Sequence, residues 1–151
     1  MRSLGAVACA ALALVSCASA DSTPAPRLDG TSWELVTLQS MDDDQGTTAV
    51  PDPNRYTVTF GADGRAMFRI DCNRGSATWE ATPGATGASG QLTFGPIAST
   101  RMACPPPTID QEVSRALGFV RGYLIEGDHL HLSLLADAGI LTWEPAEEGK
   151  P

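Results

Sequence analysis

Cysteine and histidine are the side chains of this sequence whose type and spacing could support chemistry. The chain has four cysteines and two histidines, namely Cys9, Cys17, Cys72, Cys104, His129 and His131. A thiol can carry a lipid, form a disulfide, bind a metal ion or act as a nucleophile, and an imidazole can bind a metal ion or transfer a proton. The segments that hold these side chains decide between the possibilities.

Cys17 ends an apolar segment that follows Arg2, the only charged residue among the first twenty. The apolar run over residues 4–15 is shorter than the roughly 20 residues that a membrane-spanning helix needs. Leu14-Val15-Ser16-Cys17 resembles a bacterial lipobox, whose cysteine receives a diacylglycerol and becomes the mature N-terminus. We therefore predict a signal peptide over residues 1–16 and a lipidated Cys17 that anchors the protein to a membrane of the bacterial cell envelope.

Ordinary secretion is the alternative. Ala18-Ser19-Ala20 fits a signal peptidase site, and cleavage before Asp21 would release a soluble protein. Residues 17–27, which begin with the lipidated cysteine and are rich in small residues and proline, are expected to form a flexible tether. We place a single folded domain over residues 28–145 and a polar tail over residues 146–151.

The charge of the chain excludes one class of partner. Eighteen acidic residues against ten basic ones give a net charge of -8. Because an acidic domain repels phosphate backbones, we expect no nucleic-acid partner. The same balance argues against a polybasic attachment to anionic lipid, so the acyl group on Cys17 is expected to hold the protein at the membrane.

Cys72 and Cys104 are the even pair that remains in the predicted domain. An oxidising envelope compartment favours a disulfide between two such cysteines. A redox or metal-binding pair is the alternative, but no histidine flanks either cysteine and the sequence has no Cys-x-x-Cys. We therefore predict a structural disulfide.

His129 and His131 lie two residues apart on a predicted strand and hence on one face, beside Asp128. Two imidazoles in this arrangement can bind one metal ion, which makes them weak metal candidates. No third ligand is evident, and the alternative is a solvated outer face opposite the leucines of the same strand. The acidic triplet at residues 42–44 lacks the spaced oxygen ligands of a calcium loop. We expect no cofactor.

Catalytic motifs are absent from the sequence. There is no Gly-x-Ser-x-Gly, and neither histidine has a recognisable serine or cysteine partner. The glycines at positions 84, 87 and 90 belong to a loop that no helix follows, so they do not form a phosphate-binding cradle. The sequence therefore predicts a protein that is not an enzyme, with no catalytic residue.

Alternating apolar and polar residues predict most of the chain to be β-structure. Residues 56–60 and 65–72 form a hairpin that turns the side chains of Ala66, Phe68, Ile70 and Cys72 to the core and those of Arg65, Met67, Arg69 and Asp71 outward. Further strands are predicted at residues 33–38, 76–81, 91–94, 123–126, 129–135 and 140–143, with a two-residue turn at Gly127-Asp128.

One helix is predicted after the triproline that follows Cys104. Thr108 is its expected N-cap, with Gln111 completing a capping box, and Gly122 its expected end. Its apolar stripe consists of Ile109, Val113, Ala116, Leu117 and Val120. Because such a stripe needs a surface to cover it, we predict an α+β, mainly β fold: a curved antiparallel sheet or partly closed β-barrel wrapped around this single helix.

Two segments resemble motifs of the META (HslJ-like) domain family. Residues 70–75, Ile-Asp-Cys-Asn-Arg-Gly, are similar to its Cys-Asn motif, and residues 98–104 are similar to its Thr-x-Met-x-Cys motif. The opening at residues 28–33 and the leucine-rich C-terminal hairpin also fit, so the resemblance covers residues 28–143. It implies an antiparallel, partly closed barrel around one helix, in agreement with the pattern-based prediction.

The motif residues Asn73, Thr100 and Met102 are interpreted as structural. An asparagine after Cys72 can cap a turn and tolerates left-handed backbone, and Thr100 and Met102 bring Cys104 toward Cys72. The sequence departs from the family at Asp71, where a small residue often precedes the cysteine.

The resemblance implies a role in envelope or heat stress, in tolerance to antibiotics of the novobiocin type, or in secretion, without a catalytic mechanism. We therefore expect a monomeric, non-enzymatic envelope lipoprotein that acts by binding, with an envelope protein of unknown identity as a possible partner. The alternative is a pilotin-like adaptor or inhibitor that holds a partner protein or an apolar peptide in a cleft beside the helix.

Overall fold

The computed structural model describes residues 27–41 and 46–147. The predicted signal peptide, Cys17, the tether before Arg27, the acidic triplet at 42–44 and the tail from residue 148 lie outside the described residues. The described chain contains ten strands and one α-helix, α1 (Asp110–Gly118). The strands are β1 (Thr31–Ser40), β2 (Thr47–Ala49), β3 (Tyr56–Phe60), β4 (Arg65–Ile70), β5 (Asn73–Pro83), β6 (Ser89–Phe94), β7 (Ala98–Ser99), β8 (Val120–Glu126), β9 (His129–Leu134) and β10 (Gly139–Pro145).

Eight of these strands close an antiparallel barrel in the order β1-β3-β4-β5-β6-β8-β9-β10, and β10 pairs back with β1. The short strands lie beside this ring, with β2 paired to β1 and β7 paired to β5. This confirms the predicted mainly β fold around one helix, and the barrel is closed rather than partly open. None of the described helices is long and apolar enough to span a bilayer.

The barrel interior is a single apolar core. Alternate residues of each strand point inward, as the sequence predicted for Ala66, Phe68 and Ile70. The inner face of α1 joins the same cluster through Val113, Ala116 and Leu117. The side chains that are almost completely buried include Leu35, Val58, Phe60, Leu92, Leu130, Leu132, Leu141 and Trp143.

The alternation of β4 ends two residues earlier than predicted. Ile70 is the last residue of the strand, and Asp71 has a φ of 58° in the left-handed region. This reversal of the backbone turns the Asp71 side chain inward, where the prediction had placed it outward, and leaves Cys72 half-buried in the turn. Asn73 is the first residue of β5 and pairs with Ile70, so the left-handed residue of the turn is Asp71 and not Asn73.

The helix is shorter than predicted. It ends at Gly118, because Val120 pairs with Leu134 as the first residue of β8 and is buried there rather than on the helical stripe. The Thr108 hydroxyl accepts a hydrogen bond from the Asp110 amide at 3.2 Å. The predicted capping box is wrong. The helix begins at Asp110, so its N-cap residue is Ile109, which has no side chain that could make a capping hydrogen bond.

Candidate functional site

The Asn73 side chain clamps the segment that leads from β7 toward α1. Its amide oxygen accepts hydrogen bonds from the Thr100 hydroxyl at 2.9 Å and from the Met102 amide at 2.8 Å. Its amide nitrogen donates to the Met102 carbonyl at 3.1 Å and lies 3.3 Å from the Cys104 sulfur. The three family-motif residues therefore meet in one network, which uses both the donor and the acceptor capacity of a buried amide.

A disulfide closes the same region. Cys72 and Cys104 are bonded, with Cα atoms 5.6 Å apart, and the Cys72 amide donates to the Cys104 sulfur at 3.3 Å. Gly75 allows β7 to approach β5 closely, since a Cβ at this position would lie 3.2 Å from the Ser99 Cβ and 3.3 Å from the Ala98 carbonyl oxygen. The path of residues 98–104 is thus fixed covalently, by hydrogen bonds and by sheet pairing.

Asp71 is a buried carboxylate whose setting the sequence analysis missed. Its side chain is inaccessible to solvent and pairs with the guanidinium of Arg55. The Tyr56 hydroxyl donates to the other carboxylate oxygen at 3.4 Å and accepts from the Ile109 amide at 3.1 Å. This polar network joins the turn before Cys72 to the start of α1. The departure from the family pattern at Asp71 was the one sequence signal that could have pointed to it.

The two histidines stack on the outer face of β9, with ring centroids 6.2 Å apart. His129 pairs with Asp128 at 2.7 Å, and the His131 ring lies 3.1 Å from the Thr142 hydroxyl. Across the described residues, no three His, Cys, Asp or Glu side chains come together in an arrangement that could hold a metal ion. The histidines thus lie on one face, as predicted, without a third ligand among the described residues.

A groove of about 720 Å³ runs between α1 and the clamped segment. Ile70 and Asn73 line it on the barrel side, and one wall is formed by Ile97 and residues 99–103. The opposite wall is the outer face of the helix, with Asp110, Gln111, Ser114 and Arg115. These side chains are mainly polar or charged, so the groove is suited to a polar or extended chain rather than to an apolar ligand. Met102, at the rim, is 60% exposed.

The edge of β7 faces this groove. The Thr100 amide donates to the Arg74 carbonyl at 2.9 Å, so alternate residues of the segment turn their backbone groups toward β5. By the same alternation the N–H of Ser99 points away from β5. Within the described part of the chain β7 pairs with β5 alone, which leaves its second edge without a partner strand.

Two further grooves lie elsewhere on the barrel. One, of about 500 Å³, is lined by the acidic residues Glu34, Asp52, Asp128, Glu144 and Glu147. The other, of about 300 Å³, contains Trp79 and Tyr123 beside the start of the described chain. Burial raises the pKa of Tyr123, whose hydroxyl donates to the Gly87 carbonyl at 3.0 Å. The Trp79 indole donates to the Gly61 carbonyl at 3.1 Å, so both aromatic side chains are held by hydrogen bonds to the barrel.

Comparison with solved structures gives a similar fold. A crystal structure of a DUF4847 family protein from Bacteroides vulgatus matches with a TM-score of 0.52 and 14% sequence identity, covering 78% of this chain and 93% of that one. At this identity the likeness concerns the fold alone. The comparison with curated proteins found no match.

The family model gives the more specific result. The model that describes the META domain matches residues 26–147, which is most of the chain and includes all of its described part. The match includes both Cys-containing motifs, the clamp that joins them and the helix that follows. The chain belongs to the META domain family.

Proposed function

We propose that this protein is a non-enzymatic lipoprotein of the bacterial envelope whose META domain binds an extended segment of another envelope protein. The observation that carries this proposal is the free edge of β7 in the groove beside α1. An unpaired strand edge offers backbone donors and acceptors that an extended peptide can pair with, and the flanking side chains then select its sequence.

The rigidity of this edge supports a binding role. Its residues are held by the Asn73 amide, the disulfide and pairing with β5, so little ordering entropy is lost when a ligand strand is added. Proteins usually cover or shorten exposed edges, since these also invite unwanted pairing. Here the edge is short and the helix leaves a groove beside it, which limits access to a single extended chain.

The cellular setting of the proposal rests on the first residues of the sequence. A signal peptide followed by a lipidated Cys17 would place the domain on an envelope membrane. There it would act in envelope stress or in novobiocin-type tolerance, the roles that the family resemblance implies. The polar groove favours a pilotin-like adaptor. Such an adaptor would recognise mainly the backbone of the bound peptide and not its apolar side chains.

The lipid anchor has a direct test. In membranes from the native cells, intact-mass analysis of the purified protein is expected to show a mature N-terminus at Cys17 that carries acyl chains, because the lipobox directs cleavage before this residue. The Cys17→Ser variant should lose this mass and leave the membrane fraction. A mature protein that begins at Asp21 in the soluble fraction would show that the secretory alternative is correct.

Binding at the β7 edge is tested by site-specific photo-crosslinking in the native cells. A photoreactive amino acid at Met102, on the rim of the groove, is expected to give one discrete adduct with an envelope protein. The same group at Leu124, which is 41% exposed on β8, should give none. Ser99→Pro removes the outward N–H and should abolish the adduct, while Ser99→Ala keeps this N–H and should preserve it.

The comparison of Ser99→Pro with Ser99→Ala tests whether the bound segment pairs with the β7 edge. Both variants should fold, because Ser99 is exposed and its N–H does not pair with β5. Equal adduct formation in both variants would contradict strand addition at this edge, and adducts from Leu124 alone would place the partner on another surface.

A further inference from the structure

The outer surface of β4 and β5 is basic, in a chain whose net charge is -8. The outward residues of β4 are Arg65, Met67 and Arg69, and those of β5 as far as Thr78 begin with Arg74. Acidic residues begin at the border of this surface, with Glu80 as the next outward residue of β5 and Asp63 in the turn before Arg65. We call the surface formed by Arg65, Met67, Arg69 and Arg74 the arginine face.

Two guanidinium groups of this face lie side by side. Arg69 and Arg74 are direct partners in the register of β4 and β5, and both donate to the carbonyl oxygen of Asp71 at 3.4 Å. The carboxylate of Asp71 points inward to Arg55, so it does not pair with either of them. Among the described residues neither Arg69 nor Arg74 forms an ion pair, and like charges directly opposite each other destabilise a sheet. This arrangement is complementary to an anion.

The geometry points to a membrane surface as the occupant. Met67 lies between Arg65 and Arg69 along β4 and is 55% exposed, so an apolar side chain projects from the middle of the basic cluster. At a bilayer the thioether can enter the acyl boundary while each guanidinium binds phosphate oxygens in a two-pronged contact. An acidic peptide would satisfy the arginines but would leave Met67 against polar backbone.

We propose that the arginine face docks on anionic phospholipid. This surface would act together with the acyl chains on Cys17: the chains would hold the protein at the membrane, and the arginine face would orient the domain against it. Net charge alone argues against lipid binding, but the field at a surface depends on local charges, because screening limits their reach to about 8–10 Å at physiological salt. The proposal does not rest on the groove or on the β7 edge.

The test is sedimentation of the exported Cys17→Ser protein with lipid vesicles, so that no acyl group contributes. Binding is expected to vesicles of phosphatidylglycerol mixed with phosphatidylcholine, to fall as salt is raised, and to be absent with phosphatidylcholine alone. Arg69→Gln with Arg74→Gln should weaken binding about 25-fold, or about fivefold for each arginine removed. Arg121→Glu, far from this face, changes the net charge by the same amount and should leave binding unchanged.

Thermal midpoints will show whether the exposed substitutions disturb folding. If the double variant is unstable, Arg65→Gln is used instead, because within the described structure the Arg65 guanidinium donates only to the Ser76 hydroxyl, on the outer surface. Equal losses in the double variant and in Arg121→Glu, or equal binding to both kinds of vesicle, would overturn the proposal. Salt-sensitive self-association without vesicles, lost in the double variant, would instead assign the arginine face to a second copy of the chain.

Discussion

Asp71→Ala should lower the free energy of unfolding by about 3 kcal/mol. The substitution leaves the Arg55 guanidinium and the Tyr56 hydroxyl without the carboxylate to which both now bind. Removing one partner of a buried ion pair typically costs about 3–5 kcal/mol, and the lower end applies here because the Arg55 side chain is 31% exposed. Urea unfolding of the oxidised protein, with the slope m compared between variants, measures the change.

Asp137→Ala is the matched control for this prediction. Asp137 also has a left-handed backbone, with a φ of 54°, but its side chain is exposed and has no ion pair among the described residues. The control therefore carries the cost of alanine in left-handed backbone, about 1 kcal/mol, without the loss of a buried partner. If both variants were destabilised equally, the Arg55–Asp71 pair would contribute nothing measurable to stability.

The Asp71 network also shows where sequence reasoning ended. The alternation of β3, that of β4 as far as Ile70 and the Gly127-Asp128 turn were predicted correctly, because these features are encoded within a few neighbouring residues. The inward turn of Asp71 depends on Arg55 and Tyr56, which lie 16 and 15 residues away along the chain. A periodic pattern contains no information about such partners.

Barrel closure and the short strands were beyond prediction for a related reason. The pairing of β1 with β10 joins Ser40 to Gly139, residues at opposite ends of the domain. The two-residue strand β7 is too short to show any periodicity and exists because Gly75 leaves room for it against β5. The free edge, which carries the proposed function, could therefore be found only in the folded structure.

The charge distribution is a further property that composition concealed. The net charge of -8 predicts an acidic domain, yet the outward residues where β4 pairs with β5 include three arginines, and five acidic side chains line a separate groove. The arginine face borders β7 through the pairing of Ser76 with Ala98. A protein held on anionic lipid by this face would present the β7 edge near the membrane surface, where segments of other envelope proteins emerge.

Loss of the disulfide in the variant with Cys72→Ala and Cys104→Ala should lower the free energy of unfolding by about 4 kcal/mol. The two cysteines are separated by 32 positions in the chain, and the loop-entropy model gives about this value for a loop of that size. The disulfide is expected to act mainly by restricting the conformations of the unfolded chain. In the folded state the Asn73 amide and the pairing of β7 with β5 still hold the same segment in place.

The expected action of the disulfide on the unfolded chain provides a control for this prediction. If the disulfide acts on the unfolded chain, wild-type protein unfolded in the presence of a reductant should match the double variant, and the reductant should not affect the variant further. A loss of this size would consume a large part of the 5–15 kcal/mol typical of a single domain, so the reduced protein should unfold at a much lower urea concentration. Unchanged midpoints would mean that the Asn73 clamp and the barrel, and not the covalent bond, account for the stability of this region.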